Sequence, residues 1–247
     1  MKAGEADRTE GALSSGRADA ALTTLGRRIA SGAYEVGAAL PVEADLASEL
    51  GVSRSTIREA VRSLVTLGMV EVRTRAGTRV RPKNAWNILN QNVLGWMTSA
   101  SGQDKALLQA IDEAREIFEP QAAALAARRA SRSDVAAISR GYEGMAVAVE
   151  ADDAQAAILA DREFHLAILM ATDNPILMAF DTAIDAVLGL LFEVAAAEHW
   201  EVFRANLENH RRVLEAIRDG NPEEASQAMR DTIGFTRRSL RKHVFIN

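Results

Sequence analysis

Leu40-Pro41-Val42-Glu43-Ala44-Asp45-Leu46-Ala47-Ser48-Glu49-Leu50-Gly51-Val52-Ser53-Arg54-Ser55-Thr56-Ile57-Arg58-Glu59-Ala60-Val61 is the stretch that decides the fold. Leu46, Ala47 and Leu50 fall on one face of a short helix over about 43–50. Gly51-Val52-Ser53 then reads as a tight turn, and Ser53 suits the N-cap of the next helix. That helix, about 54–67, turns Ile57, Ala60, Val61 and Leu64 inward and stops at Gly68. Upstream, Leu22, Leu25 and Ile29 mark an earlier helix closed by Gly32, and Tyr34, Gly37 and Pro41 make a loop. Downstream, Val70–Arg75 and Thr78–Arg81 read as two short strands turning through Ala76-Gly77. The predicted order is helix, helix–turn–helix, then a β-hairpin wing.

Arg54, Arg58 and Arg62 recur at i, i+4 and i+8, so they share the helix face opposite the apolar stripe. Ser55 and Thr56 lie in the first turn, where unpaired backbone N–H groups favour a phosphate. Arginine can make two parallel bonds to guanine O6 and N7 in the major groove. Arg73, Arg75, Arg79 and Arg81 surround Gly77, which allows close backbone approach to a groove. Three arginines on an arbitrary helix are more often a solvated face. The turn before this helix and the basic hairpin after it favour nucleic acid.

The whole chain has 247 residues, 48% of them hydrophobic, enough for one or two domains with real cores. It has 0 cysteines, which excludes a disulfide scaffold, thiolate zinc, an iron–sulfur cluster and a cysteine nucleophile. A reducing cytoplasm is the default expectation. No run approaches the roughly 18 apolar residues of a membrane span. Residues 1–19 read as a flexible tail without an apolar signal core. The net charge of −5 hides an asymmetry: residues 1–85 carry 13 Lys and Arg against 10 Asp and Glu, and residues 86–247 carry a net −8. Two modules with different partners follow, meeting near Arg81-Pro82-Lys83-Asn84.

The acidic part reads as helix after helix, over 84–97, 104–130, 133–149, 152–171, 175–197, 200–219 and 222–242. Strand signals are lacking, which predicts an all-α bundle. Pro120 predicts a kink or boundary near Phe118-Glu119. Asp161 and His165 project from one helix face, and His210 lies on a later helix one turn after Asn206. A carboxylate with imidazoles suits zinc, nickel, manganese or iron, although Asp-x3-His is common without a metal. Arg115 could hold a carboxylate with its fork or simply pair with Glu119 on the surface. His199 and His243 have no evident partners and read as surface residues.

The 40–61 run, with Leu64, Gly68 and Gly77-Thr78-Arg79-Val80, closely resembles the winged helix–turn–helix of GntR-family transcription regulators. That resemblance implies base reading by Arg54 and Arg58, phosphate contacts by Ser53, Ser55 and Thr56, and a wing Gly77 in the minor groove; Arg62 extends the same surface. Members often carry Arg where Ala44 stands, so one DNA contact of the family is absent. The later part resembles the FadR-type C-terminal ligand domain, FCD, through Glu113-x-Arg115-x-x-x-Glu119, Asp161-x3-His165, Asn174-Pro175 and His210 before Leu214-x-Ala216-Ile217. Many members hold a divalent metal with one Asp and three His. Asp161, His165 and His210 match, and Thr232 stands where the last His would fall. One zinc, nickel or manganese ion completed by water or an effector carboxylate, and a metal-free polar pocket, both stand as readings. Pro82-Lys83-Asn84-Ala85-Trp86-Asn87-x-Leu89, Val93-Leu94-x-Trp96 and Thr236-Arg237-Arg238-x-Leu240 are similar to galactonate-responsive repressors of the family. Trp86, Leu89, Val93 and Trp96 are expected to pack, joining the reading head to the bundle.

The expected molecule is therefore mainly α: a flexible tail (1–19), a winged helix–turn–helix (20–81), a linker with a helix (82–103) and an all-α effector-binding and dimerisation domain (104–247). Its expected function is a cytoplasmic, homodimeric regulator rather than an enzyme. It would bind double-stranded operator DNA as a repressor and be released by a small carboxylate such as an aldonate, with Arg115 and Asn206 contacting the effector. The alternative is a metal-dependent hydrolase or lyase using Asp161, His165 and His210.

Overall fold

The computed structural model describes residues 3–101, 105–180 and 200–244. The chain divides into two compact units, Met1–Gln103 and Asp104–Asn247. The first contains α1 (Ala3–Ala30), α2 (Glu43–Leu50), α3 (Arg54–Thr66), β1 (Val70–Arg73), β2 (Gly77–Val80), a 3-10 turn at Lys83–Ala85 and α4 (Gln91–Ser101). This is the winged helix–turn–helix order expected from the sequence. Ser53 caps α3, its Oγ accepting the Thr56 N–H at 3.1 Å, and Ile57, Ala60, Val61 and Leu64 face the core. Leu25, Ile29, Leu46, Ile57 and Leu64 are almost wholly buried, each contributing about 1.5–3 kcal/mol of hydrophobic stabilisation.

The wing is antiparallel, with Val70 opposite Val80 and Arg73 opposite Gly77. Its turn needs left-handed backbone at both Arg75 (φ 64°) and Gly77 (φ 74°). The preceding loop adds an edge to the hairpin. The Leu40 N–H donates to the Thr78 carbonyl at 2.8 Å, and the Val80 N–H donates to the Ala38 carbonyl at 3.0 Å.

Three sequence expectations shift in this unit. Helical backbone begins at Ala3, within the stretch read as a tail; no proline interrupts it. The helix expected over 84–97 begins at Gln91 instead, because Asn90 Oδ1 accepts the Asn92 N–H at 3.0 Å and fixes the start there. This linker helix packs on α1 within the first unit, and Leu89 is half exposed while Trp86, Val93 and Trp96 are buried. The α1–α4 contact depends on Gly26: a Cβ there would lie 2.3 Å from the Trp96 ring.

The second unit consists of α5 (Lys105–Arg129), α6 (Arg132–Glu150), α7 (Ala154–Met170), α8 (Pro175–Met178), α9 (Trp200–Arg218) and α10 (Pro222–Val244). It is all-α among the described residues. The part of the expected 175–197 helix beyond Phe180 lies outside them, as does His199. No described helix is long and apolar enough to cross a membrane. Pro120 does not end α5, which runs through it as one helix. Ala122, Ala123, Ala126 and Ala127 directly after it are buried, and their packing offsets the roughly 3 kcal/mol that an interior proline costs. Side-chain caps set several starts: Ser131 and Asp134 form a capping box on α6, and Asn174 caps α8 just before Pro175. Phe164, Ile138, Met145, Val213 and Ile217 share one core. Gly141 lets α6 approach α7 closely, since a Cβ there would lie 2.7 Å from the Phe164 backbone. That approach fixes the segment carrying His165.

Gly26→Ala tests the α1–α4 contact. Alanine gains about 1 kcal/mol of helix propensity, but overpacking of this severity costs about 1–3 kcal/mol. The expected outcome is a lower Tm and altered Trp96 emission; a variant as stable as wild type would place the Trp96 ring elsewhere.

Candidate functional site

The reading head presents its arginines from α3 and the wing. Arg54, Arg58 and Arg62 are exposed, as expected from their spacing. Arg58 is held from α2: its Nε and Nη2 donate to Glu43 Oε2 at 3.1 and 2.9 Å. Ser53 and Ser55 are exposed and their hydroxyls lie 2.7 Å apart. Thr56 is buried and its hydroxyl lies 2.8 Å from Ser53 Oγ, so its side chain takes part in the cap. Gly77 is exposed at the wing tip with open space beyond it. Arg79 braces the wing, donating from Nη1 to the Gly37 carbonyl at 2.7 Å.

The bundle brings Asp161, His165 and His210 together, all buried, with candidate donor atoms within 4.8 Å of one another. Asp161 and His165 come from α7 and His210 from α9. His210 Nε2 lies 2.9 Å and His165 Nε2 3.6 Å from Asp161 Oδ1. Neither contact has hydrogen-bond alignment, so Asp161 Oδ1 is buried without a hydrogen-bond partner among the described residues. The opposite ring nitrogens face other groups: His210 Nδ1 lies 3.0 Å from the Asn206 carbonyl, and His165 Nδ1 lies 2.7 Å from the Glu119 carboxylate. Two imidazoles converging by Nε2 on one buried carboxylate oxygen form a donor set that fits a divalent cation. Phe164 packs edge-on against both rings.

Glu119 belongs to this site, although the sequence leaves it as one half of a possible surface pair. Its carboxylate bridges two groups: Oε1 accepts from Arg115 Nε at 2.5 Å, and Oε2 faces His165. Burial pushes the Glu119 carboxyl up, but the Arg115 guanidinium and His165 outweigh it and hold the pKa at about 2. Burial likewise raises Asp161, and His165, His210 and Arg115 bring it below the usual range. Arg115 is only 4% exposed. Among the described residues no partner meets its two Nη groups. The signal for a buried role was the Glu113-x-Arg115-x-x-x-Glu119 pattern followed shortly by the alanine-rich Ala122–Ala127 segment.

Asn206 is buried beside the cluster, but its amide is engaged. Nδ2 donates to the Thr232 carbonyl at 3.1 Å, and Oδ1 accepts from Asn209 Nδ2 at 2.8 Å. Thr232 is buried, its hydroxyl donating to the Ala228 carbonyl at 2.8 Å. The side chain of His243 lies outside the described residues.

The chain matches the model described as Bacterial regulatory proteins, gntR family, over residues 18–80 and the FCD domain model over residues 110–235. It is 34% identical over 230 residues to the Galactonate operon transcriptional repressor of Escherichia coli (strain K12), covering 92% of this chain and 97% of that one. A protein of the same strain named for regulation of an L-lactate dehydrogenase operon is 31% identical over 212 residues, 84% of this chain and 80% of its own. Among solved structures, Streptococcus agalactiae GntR is 32% identical with a TM-score of 0.52, over 90% of this chain and 99% of that one.

Glu119→Ala leaves Arg115 buried without its counter-charge. A loss of about 3–5 kcal/mol is expected in denaturant melts. Because the folded pKa of Glu119 lies below its ordinary 4.5, its stabilisation is complete above that pH and is lost as pH falls toward about 2. Glu119→Gln should flatten this part of the acid-unfolding profile.

Proposed function

The chain belongs to the GntR family of bacterial regulatory proteins, in the group that carries an FCD domain, and is a DNA-binding transcription regulator; from that premise we propose that it is a homodimeric repressor released from its operator by a small hydroxy-carboxylate. The observation that carries the effector class is the buried Arg115, held at Nε by Glu119 and without a described partner at its Nη end, in a site with Asp161, His165 and His210. A guanidinium presenting two parallel N–H groups recognises a carboxylate. The names of two relatives support the class, since galactonate and L-lactate are both hydroxy-carboxylates. Galactonate is the first ligand to test.

Asp161, His165 and His210 would hold a divalent ion such as zinc, nickel or manganese. Bound there, the ion would supply a Lewis-acidic point for effector oxygens. Thr232 contributes no fourth nitrogen, and three protein donors suit a site completed by water or ligand. Glu119 and the Asn206 carbonyl fix the two histidine rings, and Glu119 also orients Arg115. The relatives are regulators, which favours reading the cluster as a ligand site over a hydrolytic centre.

In the reading head, Arg54, Arg58 and Arg62 would face the major groove, with Ser53 and Ser55 near phosphates and Gly77 at the wing tip in the minor groove. Two such heads in a dimer would match a twofold-related operator in the cytoplasm. Effector binding need supply only about 1.4 kcal/mol of coupling to weaken operator affinity tenfold.

Two variants separate the two roles. Arg58→Ala should weaken binding to a selected operator by about 1–3 kcal/mol in gel shifts, while leaving galactonate binding unchanged. Arg115→Lys keeps the charge beside Glu119 but loses the fork. It should weaken galactonate binding at least about tenfold in calorimetry while DNA binding persists. Treatment with a chelator should weaken galactonate binding to wild type; unchanged binding would support the metal-free pocket.

A further inference from the structure

We infer that Glu43 is a specificity-determining residue of the reading head, holding Arg58 by one edge so that its other edge presents two parallel donors to a guanine. The inference rests on the DNA-reading role proposed above. Arg58 Nε and Nη2 both donate to Glu43 Oε2, and Oε1 lies 3.4 Å from Nε. A guanidinium carries five N–H donors in a flat fork. Occupation of the Nε/Nη2 edge leaves Nη1 and the outer hydrogen of Nη2. That remaining pair is parallel and matches guanine O6 and N7.

The contact is anchored on both sides. Glu43 sits in the first turn of α2 and Arg58 in α3, and the two helices pack together, with Leu46 of α2 and Ile57 of α3 both buried. The carboxylate is therefore fixed relative to the helix that carries the arginine. Stability does not account for it. The two side chains are 38% and 59% exposed, and an ion pair so exposed contributes little to folding. A carboxylate on a surface that meets phosphates also lowers non-specific affinity. What it supplies is order and direction. An arginine otherwise loses much of its rotamer freedom when fixed. With Glu43 in place much of that ordering is complete in the free protein, and the charge of Arg58 is less drawn to the nearest phosphate. Arg54 and Arg62 on the same face have no carboxylate within ion-pairing distance among the described residues.

The test uses the full chain and Glu43→Gln, alone and combined with Arg58→Ala. Fluorescence anisotropy gives affinities for the tightest duplex selected from a randomised library, for the same duplex with each guanine changed singly, and for a scrambled duplex. The expected result for Glu43→Gln is a nearly unchanged Tm and equal or tighter binding to the scrambled duplex. Discrimination at one guanine should fall about tenfold, and this loss should vanish in the Arg58→Ala background. A uniform change across all duplexes, in either direction, would make Glu43 a general electrostatic group and overturn the inference. So would a large Tm loss with discrimination intact, or the same loss of discrimination without Arg58. If wild type selects no duplex, the DNA-reading premise itself fails, and Glu43 has nothing to specify.

Discussion

Glu119 is the group on which the bundle site depends. A carboxylate buried in a helical core is tolerated only when its charge is answered and its oxygens are occupied. Here one oxygen takes the Nε of Arg115 from its own helix, and the other meets Nδ1 of His165 from α7. The same carboxylate thus makes burial of the arginine affordable and fixes the orientation of the imidazole. With His165 turned by Glu119 and His210 turned by the Asn206 carbonyl, both Nε2 atoms converge on Asp161. The result is a buried guanidinium and a convergent Asp–His–His cluster in one site, the pairing that the proposed hydroxy-carboxylate effector would use. The close approach of α6 and α7 at Gly141 holds the helix that carries Asp161 and His165 against the core.

A similar device occurs in each unit: a glutamate takes the Nε side of an arginine. Glu119 reaches Arg115 one turn away along α5, whereas Glu43 reaches Arg58 across the turn between two helices. The environments set different consequences. At Glu119 both partners are about 95% buried or more, so removing either one leaves an uncompensated buried charge and costs stability. At Glu43 both partners are substantially exposed, so the contribution to folding is small and the effect falls on direction.

Much of this was legible in the sequence because the signals are local. Helical spacing over 43–61, the Ser53 cap and Gly68 specified the helix–turn–helix, and the hairpin followed from Gly77 between two short β-rich runs. Asp161 and His165 share a face by spacing alone, His210 was a candidate on a later helix, and the family resemblance joined the three into one donor set. What was hidden is non-local or ambiguous at short range. An i,i+4 Arg–Glu pair looks the same on a wet surface and in a core, so Arg115–Glu119 could not be placed until the neighbouring helices were known. The pairing of residues 38–40 with the wing, the return of α4 onto α1, and the Glu43–Arg58 contact all join segments far apart along the chain. The position of Thr56 in the first turn suits a phosphate, but its burial was not legible from that position. Its burial follows from the hydroxyl cluster around Ser53. Pro120 was given its usual weight as a breaker, and the alanine packing after it kept the helix intact.

The central claim is that occupation of the bundle site and occupation of the operator are linked through one protein. Linkage is reciprocal: whatever factor the sugar acid takes from operator affinity, operator must take from sugar-acid affinity. The direct measurement is a pair of titrations on the full chain, with galactonate affinity determined in the absence and presence of saturating operator duplex, and operator affinity without and with saturating galactonate. The expected result is equal factors of at least about tenfold in both directions, a coupling of about 1.4 kcal/mol or more. Galactonate bound with the same affinity whether or not operator is present would contradict it.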